Sequence, residues 1–219
     1  MRRVNPLAFR TGGLVLVVLV LAMAPFGLPP FAMTLLTEAL ILGLFAMSLD
    51  LMFGYTRLVS FGHAAAYGLG AYACGWILLH SGMPLLFAVF AAALLAGLVG
   101  IGVGWMCTLA TGVSFSMLTL AFAQLLYAIS FKWTSVTGGS VGLAVVPRTP
   151  GPFGFDALTS KTGFYYLVLV CLVGAFLLCL ALVRSPFGAV LRGIRENEAK
   201  TTALGYNTRL YKIAVVAIA

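Results

Sequence analysis

Residues 84–109 read PLLFAVFAAALLAGLVGIGVGWMCTL, without one Asp, Glu, Lys or Arg. A helix needs about 20 apolar residues to cross the hydrocarbon core of a bilayer, and this stretch exceeds that. It reads as a transmembrane helix. Working outward, comparable runs lie at 12–28, 33–53, 58–80, 113–131 and 164–183, with few or no charges in any of them. A last run opens at Ile213 and reaches Ala219. So short a run cannot cross a bilayer, tilted or not. The chain is therefore expected to be the amino-terminal part of a longer protein.

Composition excludes the alternatives. The chain is 62% apolar and 8% charged, where a soluble domain runs about 45–50% and about 25%. Disorder requires low hydrophobicity and fails too. Thirteen Lys and Arg against five Asp and Glu give a net charge of +8, but these cations are too few, and sit in gaps too short, to imply a nucleic acid. Cys74, Cys107, Cys171 and Cys179 lie inside apolar runs at no zinc or redox spacing, and read as small packing residues. No HExxH, no arguable Ser–His–acid set and no phosphate-binding loop is present, so no catalytic or metal-binding residues are assigned.

The first run, with Arg2, Arg3 and Arg10 before it and Ala22-Met23-Ala24 near its end, also fits a signal peptide. Pro25 directly after the triplet is a poor cleavage neighbour, and an uncleaved helix is expected. With the amino terminus inside, the inner segments hold Arg2, Arg3, Arg10, Arg57, Arg184, Arg192, Arg195, Lys200, Arg209 and Lys212. The outer ones hold Lys132, Arg148 and Lys161. That asymmetry follows the positive-inside rule. It makes 132–163, rich in Gly138-Gly139, Pro147, Pro150 and Pro152, an external loop, and 184–212 a cytoplasmic one. Chain 1–219 reads as a single transmembrane domain.

Polar residues within the runs have two readings each. The third run carries glycine at 62, 68, 70 and 75. These glycines, like the GxxxG pair Gly100 and Gly104, either bring helices close or let a helix unwind around a substrate. At helical spacing His63, Tyr67, Gly70 and Cys74 share one face. The imidazole either bonds a neighbouring carbonyl or stands on a translocation path. Ser116, Thr119, Tyr127 and Ser130 form a stripe beside Gln124, suited either to an uncharged polar solute or to interhelical hydrogen bonds. Asp50 is expected to pair with Arg57, and Glu38 to sit near water at a span end.

Residues 185–207, SPFGAVLRGIRENEAKTTALGYN, differ in kind. Ser185 is a helix cap, Pro186 fits the first turn, and Gly205 supplies a stop. Phe187, Leu191 and Ile194 form an apolar stripe. Arg192 with Glu196, and Glu196 with Lys200, are opposite charges at i,i+4. The expected amphipathic helix either lies on the anionic leaflet or docks apolar face first in a groove on a cytoplasmic partner.

Three blocks, GYTRLVSFGHAAAYGLGAY (54–72), FSMLTLAFAQLLYAISFKWTSVTGGSVGL (115–143) and SPFGAVLRGIRENEAKTTALGYNTRLYK (185–212), resemble in order the membrane permeases of high-affinity branched-chain amino acid importers of the ATP-binding-cassette class. The likeness runs from about residue 34 to the end. It implies an all-α polytopic bundle of the importer-permease type, in the bacterial inner membrane. The implied partners are a second related permease, two cytoplasmic ATPases and a periplasmic solute-binding protein. ATP and Mg are then expected on the ATPases, and this chain binds no cofactor. The resemblance makes 192–205 the coupling helix, with Arg192, Arg195, Glu196, Glu198, Ala199, Leu204 and Gly205 facing the ATPase. Lys200 replaces the second alanine of the family's Glu-Ala-Ala pattern, and the glycine follows at wider spacing. The expected solute is leucine, isoleucine or valine, passing His63, Tyr67, Gly70, Ser116 and Thr119. Related permeases carry urea or short amides. An ATP-independent transporter or channel needs an ion-coupling carboxylate that no span centre carries, and a membrane enzyme needs more ionisable groups than His63.

Overall fold

The computed structural model describes residues 6–110, 112–143 and 160–219. Every regular element among them is a helix: α1 (Pro6–Gly27), α2 (Pro30–Thr56), α3 (His63–Ser81), α4 (Leu85–Cys107), α5 (Val113–Lys132), α6 (Thr134–Thr137), a 3-10 turn (Gly139–Val141), α7 (Lys161–Arg184), α8 (Pro186–Glu196), α9 (Glu198–Ala203) and α10 (Thr208–Ile218). Arg2, Arg3, Pro147, Arg148, Pro150 and Pro152 lie outside the described residues, as does the side chain of Arg10.

Among the described residues four helices are long and apolar enough to cross a membrane: α2, α4, α5 and α7. The described apolar part of α1, Gly13–Gly27, is shorter. α3, which begins at His63 and not at 58, is long enough but less apolar, because it carries histidine at both ends with three glycines between. Its glycines do not break it. The irregular backbone precedes it, at 57–62, where Arg57 adopts the left-handed conformation (φ 57°) and donates its N–H to the Phe53 carbonyl. The expected Asp50–Arg57 pair does not form, since α2 runs on to Thr56 and no turn brings the two together.

Packing concentrates at the two ends of the bundle. At the basic end Leu51, Met52, Leu58, Cys107, Phe115, Val190, Leu191, Ile194 and Val215 form one core. At the opposite end Met33, Leu40, Tyr165, Val168 and Leu169 form another, with Leu21 and Ala22 of α1 against it. There Pro25 removes the N–H that would bond the Leu21 carbonyl. The fully buried Tyr165 hydroxyl donates to that carbonyl at 2.7 Å, and Tyr166 donates to Ala22 O at 3.0 Å. Pro25 is thus accommodated inside α1.

The GxxxG pair is a packing surface. A Cβ at Gly100 would lie 3.5 Å from Ala217 Cα, and one at Gly104 would crowd Val216 at 3.2 Å. α10 therefore descends antiparallel along α4. It begins at Thr208, five residues before the apolar run suggested, because Thr208, Lys212 and Val215 fall on one buried face.

Candidate functional site

The apolar stripe of 185–205 exists, but it is spent inside the molecule. Leu191 and Ile194 are buried, and Phe187 stacks on Tyr211 with ring centroids 5.4 Å apart. Each fully buried aliphatic side chain contributes about 1.5–3 kcal/mol over an exposed one. That holds α8 against α2, α7 and α10, and leaves neither a lipid-facing nor a partner-facing apolar side, contrary to both sequence expectations. Gly188 makes the close turn possible, since a Cβ there would strike the Val183 backbone.

The expected single helix is two. Asn197 is extended (φ −157°, ψ 102°), and its side chain caps α9 by accepting from Lys200 N at 2.9 Å. This puts Glu196 and Lys200 on separate helices and removes their i,i+4 pairing. Arg192 does not pair with Glu196 either, and donates to Val183 O at 2.9 Å. Among the described residues the ion pair is Glu198 Oε1 with Lys212 Nζ, at 2.5 Å. Lys212 is 5% exposed, so this bond is its compensation for burial. Arg195 turns inward to Gly54 O at 2.6 Å. Glu196, Ala199, Lys200 and Leu204 remain exposed, and Gly205 ends the segment at φ 92° with its N–H bonded to Thr202 O.

The path candidates divide. His63 Nε2 lies 2.7 Å from Ser48 Oγ on α2, a hydroxyl partner in place of the expected carbonyl. The Phe45 ring packs against both His63 (5.1 Å) and Tyr67 (5.7 Å). His63, Tyr67, Cys74 and Thr119 line an open, mainly apolar cavity of about 710 Å³ between α2, α3, α4, α5, α7 and α10. Gly70 turns instead to α4, where its Cβ would meet Ala96 Cβ at 4.0 Å.

Ser116 and Thr119 fasten the irregular 57–62 segment. Ser116 Oγ donates to Val59 O at 2.7 Å, and Thr119 Oγ1 accepts from Phe61 N at 3.2 Å. A Cβ at Gly62 would strike the Thr119 carbonyl. The rest of the supposed stripe does not converge, because Gln124 and Tyr127 are exposed.

Sequence reasoning missed Ser48, Arg209 and Lys212. For Lys212 the signal was present, since its i,i+4,i+7 register with Thr208 and Val215 places it on the apolar face. Arg209 and Ser48 carry no comparable local signal.

Residues 6–219 match the family described as branched-chain amino acid transport system / permease component. The chain is 26% identical over 222 residues to the high-affinity branched-chain amino acid transport system permease protein LivM of Escherichia coli K12, covering 91% of this chain and 52% of that one. It is 24% identical over 222 residues to LivM of Salmonella typhimurium LT2, with the same coverage. The chain thus spans about half the length of the curated relatives it matches. No solved structure matches it.

Proposed function

The chain belongs to the branched-chain amino acid transport system permease family, and from that premise we propose that it is a membrane subunit of an ATP-driven importer for leucine, isoleucine or valine. It is a multi-pass helical membrane protein of a transport system, and no residue here is assigned a catalytic role. In the proposed assembly ATP is hydrolysed by two partner ATPases below the basic end. A second permease stands alongside, and a periplasmic binding protein delivers solute at the opposite end. The positive-inside rule supports this orientation. Arg57, Arg184, Arg192, Arg195, Lys200, Arg209 and Lys212 cluster at one end, against Lys132 and Lys161 at the other.

The observation that carries the proposal is the helix–turn–helix 186–203. Its apolar stripe is locked into the bundle, and its other side, with Glu196, Ala199 and Lys200 and with Leu204 just beyond it, is exposed at the basic end. A segment so placed receives a push from below and passes it to the spans. Coupling requires that docked states differ in free energy, since equal affinity shifts nothing. The cavity beside His63 and Tyr67 is where we place the solute, its aliphatic part against the apolar wall.

The test is reconstitution of the full-length protein with its partner permease and ATPases in vesicles, with binding protein outside. The expected result is ATP-dependent leucine uptake. Gly205→Ala, which forces a Cβ into the left-handed conformation, should lower uptake per ATP hydrolysed. Uptake driven by an ion gradient without nucleotide would establish the secondary-transporter reading instead, and uptake of urea in place of leucine would reassign the solute.

A further inference from the structure

Three span carbonyls at the basic end receive no backbone N–H from four residues on, and that of Trp105 accepts the Thr108 hydroxyl at 3.3 Å as well. Those of Gly54, Trp105 and Val183 sit in the last turns of α2, α4 and α7. Their usual partners, four residues on, fall past a helix end. Leu58 is in irregular chain, Phe187 is in α8, and Leu109 N bonds Met106 O. Each of the three carbonyls receives an arginine. Arg195 donates to Gly54 O at 2.6 Å, Arg192 to Val183 O at 2.9 Å, and Arg209 to Trp105 O at 3.3 Å. Arg209 also stacks over the Trp105 ring at 5.7 Å. A guanidinium on the negative end of a helix dipole is a charge-assisted bond, stronger and more directional than a neutral one.

The donors form one body. Arg192 and Arg195 stand on α8 and Arg209 on α10. The two helices are joined by the Phe187–Tyr211 stack and, through α9, by the Glu198–Lys212 pair. We propose that Arg192, Arg195 and Arg209 are the positioning residues that carry movement of α8–α10 into α2, α4 and α7, so that three spans shift together when the ATPases close. This rests on the importer reading above. It gives Arg192 and Arg195, exposed and expected to face the ATPase, a bond within their own chain through one guanidinium nitrogen each.

The experiment uses the complete reconstituted importer and reads solute moved per ATP hydrolysed, alongside membrane abundance and thermal stability. Arg192→Gln, Arg195→Gln and Arg209→Gln should each lower the ratio, the triple variant by about fivefold or more, the low end of allosteric couplings. ATPases should still copurify. Lysine at each position keeps the charge without the planar fork and should restore part of the ratio. If a glutamine variant does not accumulate, its lysine counterpart decides, with a lowered ratio at normal abundance expected. Lower thermal stability with an unchanged ratio would overturn the proposal, leaving the arginines as simple helix caps. Failure of the wild-type chain to copurify any ATPase would sink the importer reading itself, a distinct result.

Discussion

The two ends of the bundle meet the same problem, a helix carbonyl without its N–H, with different chemistry. At the α1–α7 end the Leu21 carbonyl, freed by Pro25, takes a neutral phenol from a tyrosine with no exposed surface. At the other end three carbonyls take guanidinium groups that stay partly in water, and a buried lysine takes a glutamate. Within hydrocarbon a charge is expensive and a neutral donor suffices. Near the headgroups arginine keeps its stem on apolar surface and its head wet. The difference teaches a division of labour. The tyrosine end holds helices together, and the charged end is where the proposed ATPases would grip.

The largest expected effect is at Lys212. Glu198→Gln leaves its ammonium buried without a carboxylate and should destabilise the protein by about 3 kcal/mol, measured by thermal unfolding of the solubilised complex. Adding Lys212→Met should recover most of that loss. If the double variant is as unstable as the sum of its singles, the pair is not what holds α9 to α10.

Next comes the opposite end. Tyr165→Phe removes the donor to Leu21 O and should cost about 1–3 kcal/mol, visible as earlier proteolysis of α1 on heating. It should leave solute moved per ATP at the wild-type value. A fall in that ratio equal to that of the arginine variants would erase the contrast between the ends.

The smallest effect sharpens the division within the cavity. Ser116→Ala loses one hydrogen bond to Val59 O, about 1 kcal/mol, and should leave the KM for uptake unchanged. Tyr67→Ala, at the cavity wall, should raise it. A raised KM in Ser116→Ala would return that hydroxyl to the solute path.

What the sequence made legible follows from periodicity. Apolar runs placed α2, α4, α5 and α7, and the Phe187–Leu191–Ile194 stripe placed α8, because burial at regular spacing leaves a mark on every turn. Ser185 and Gly205 marked the two ends of the 185–205 segment for the same local reason. The break at Asn197 was missed because the residue reads as an ordinary polar position on a helix surface, and only its extended backbone makes it a cap for α9. The hydroxyls of Ser116 and Thr119 were as consistent with a path as with a fastening. Their partners, Val59 and Phe61, are backbone groups some 57 and 58 positions away, which no local pattern encodes. The arginine–carbonyl bonds escaped for the same reason.

The central claim is that the exposed side of α8–α9 is where ATPase motion enters. Its most direct measurement is site-directed crosslinking from cysteines placed at Ala199 and Leu204 in the assembled importer in native vesicles. The account predicts adducts with the ATPase subunit whose yield changes between the nucleotide-free and ATP-bound states. Adducts with phospholipid alone, constant through turnover, would contradict it.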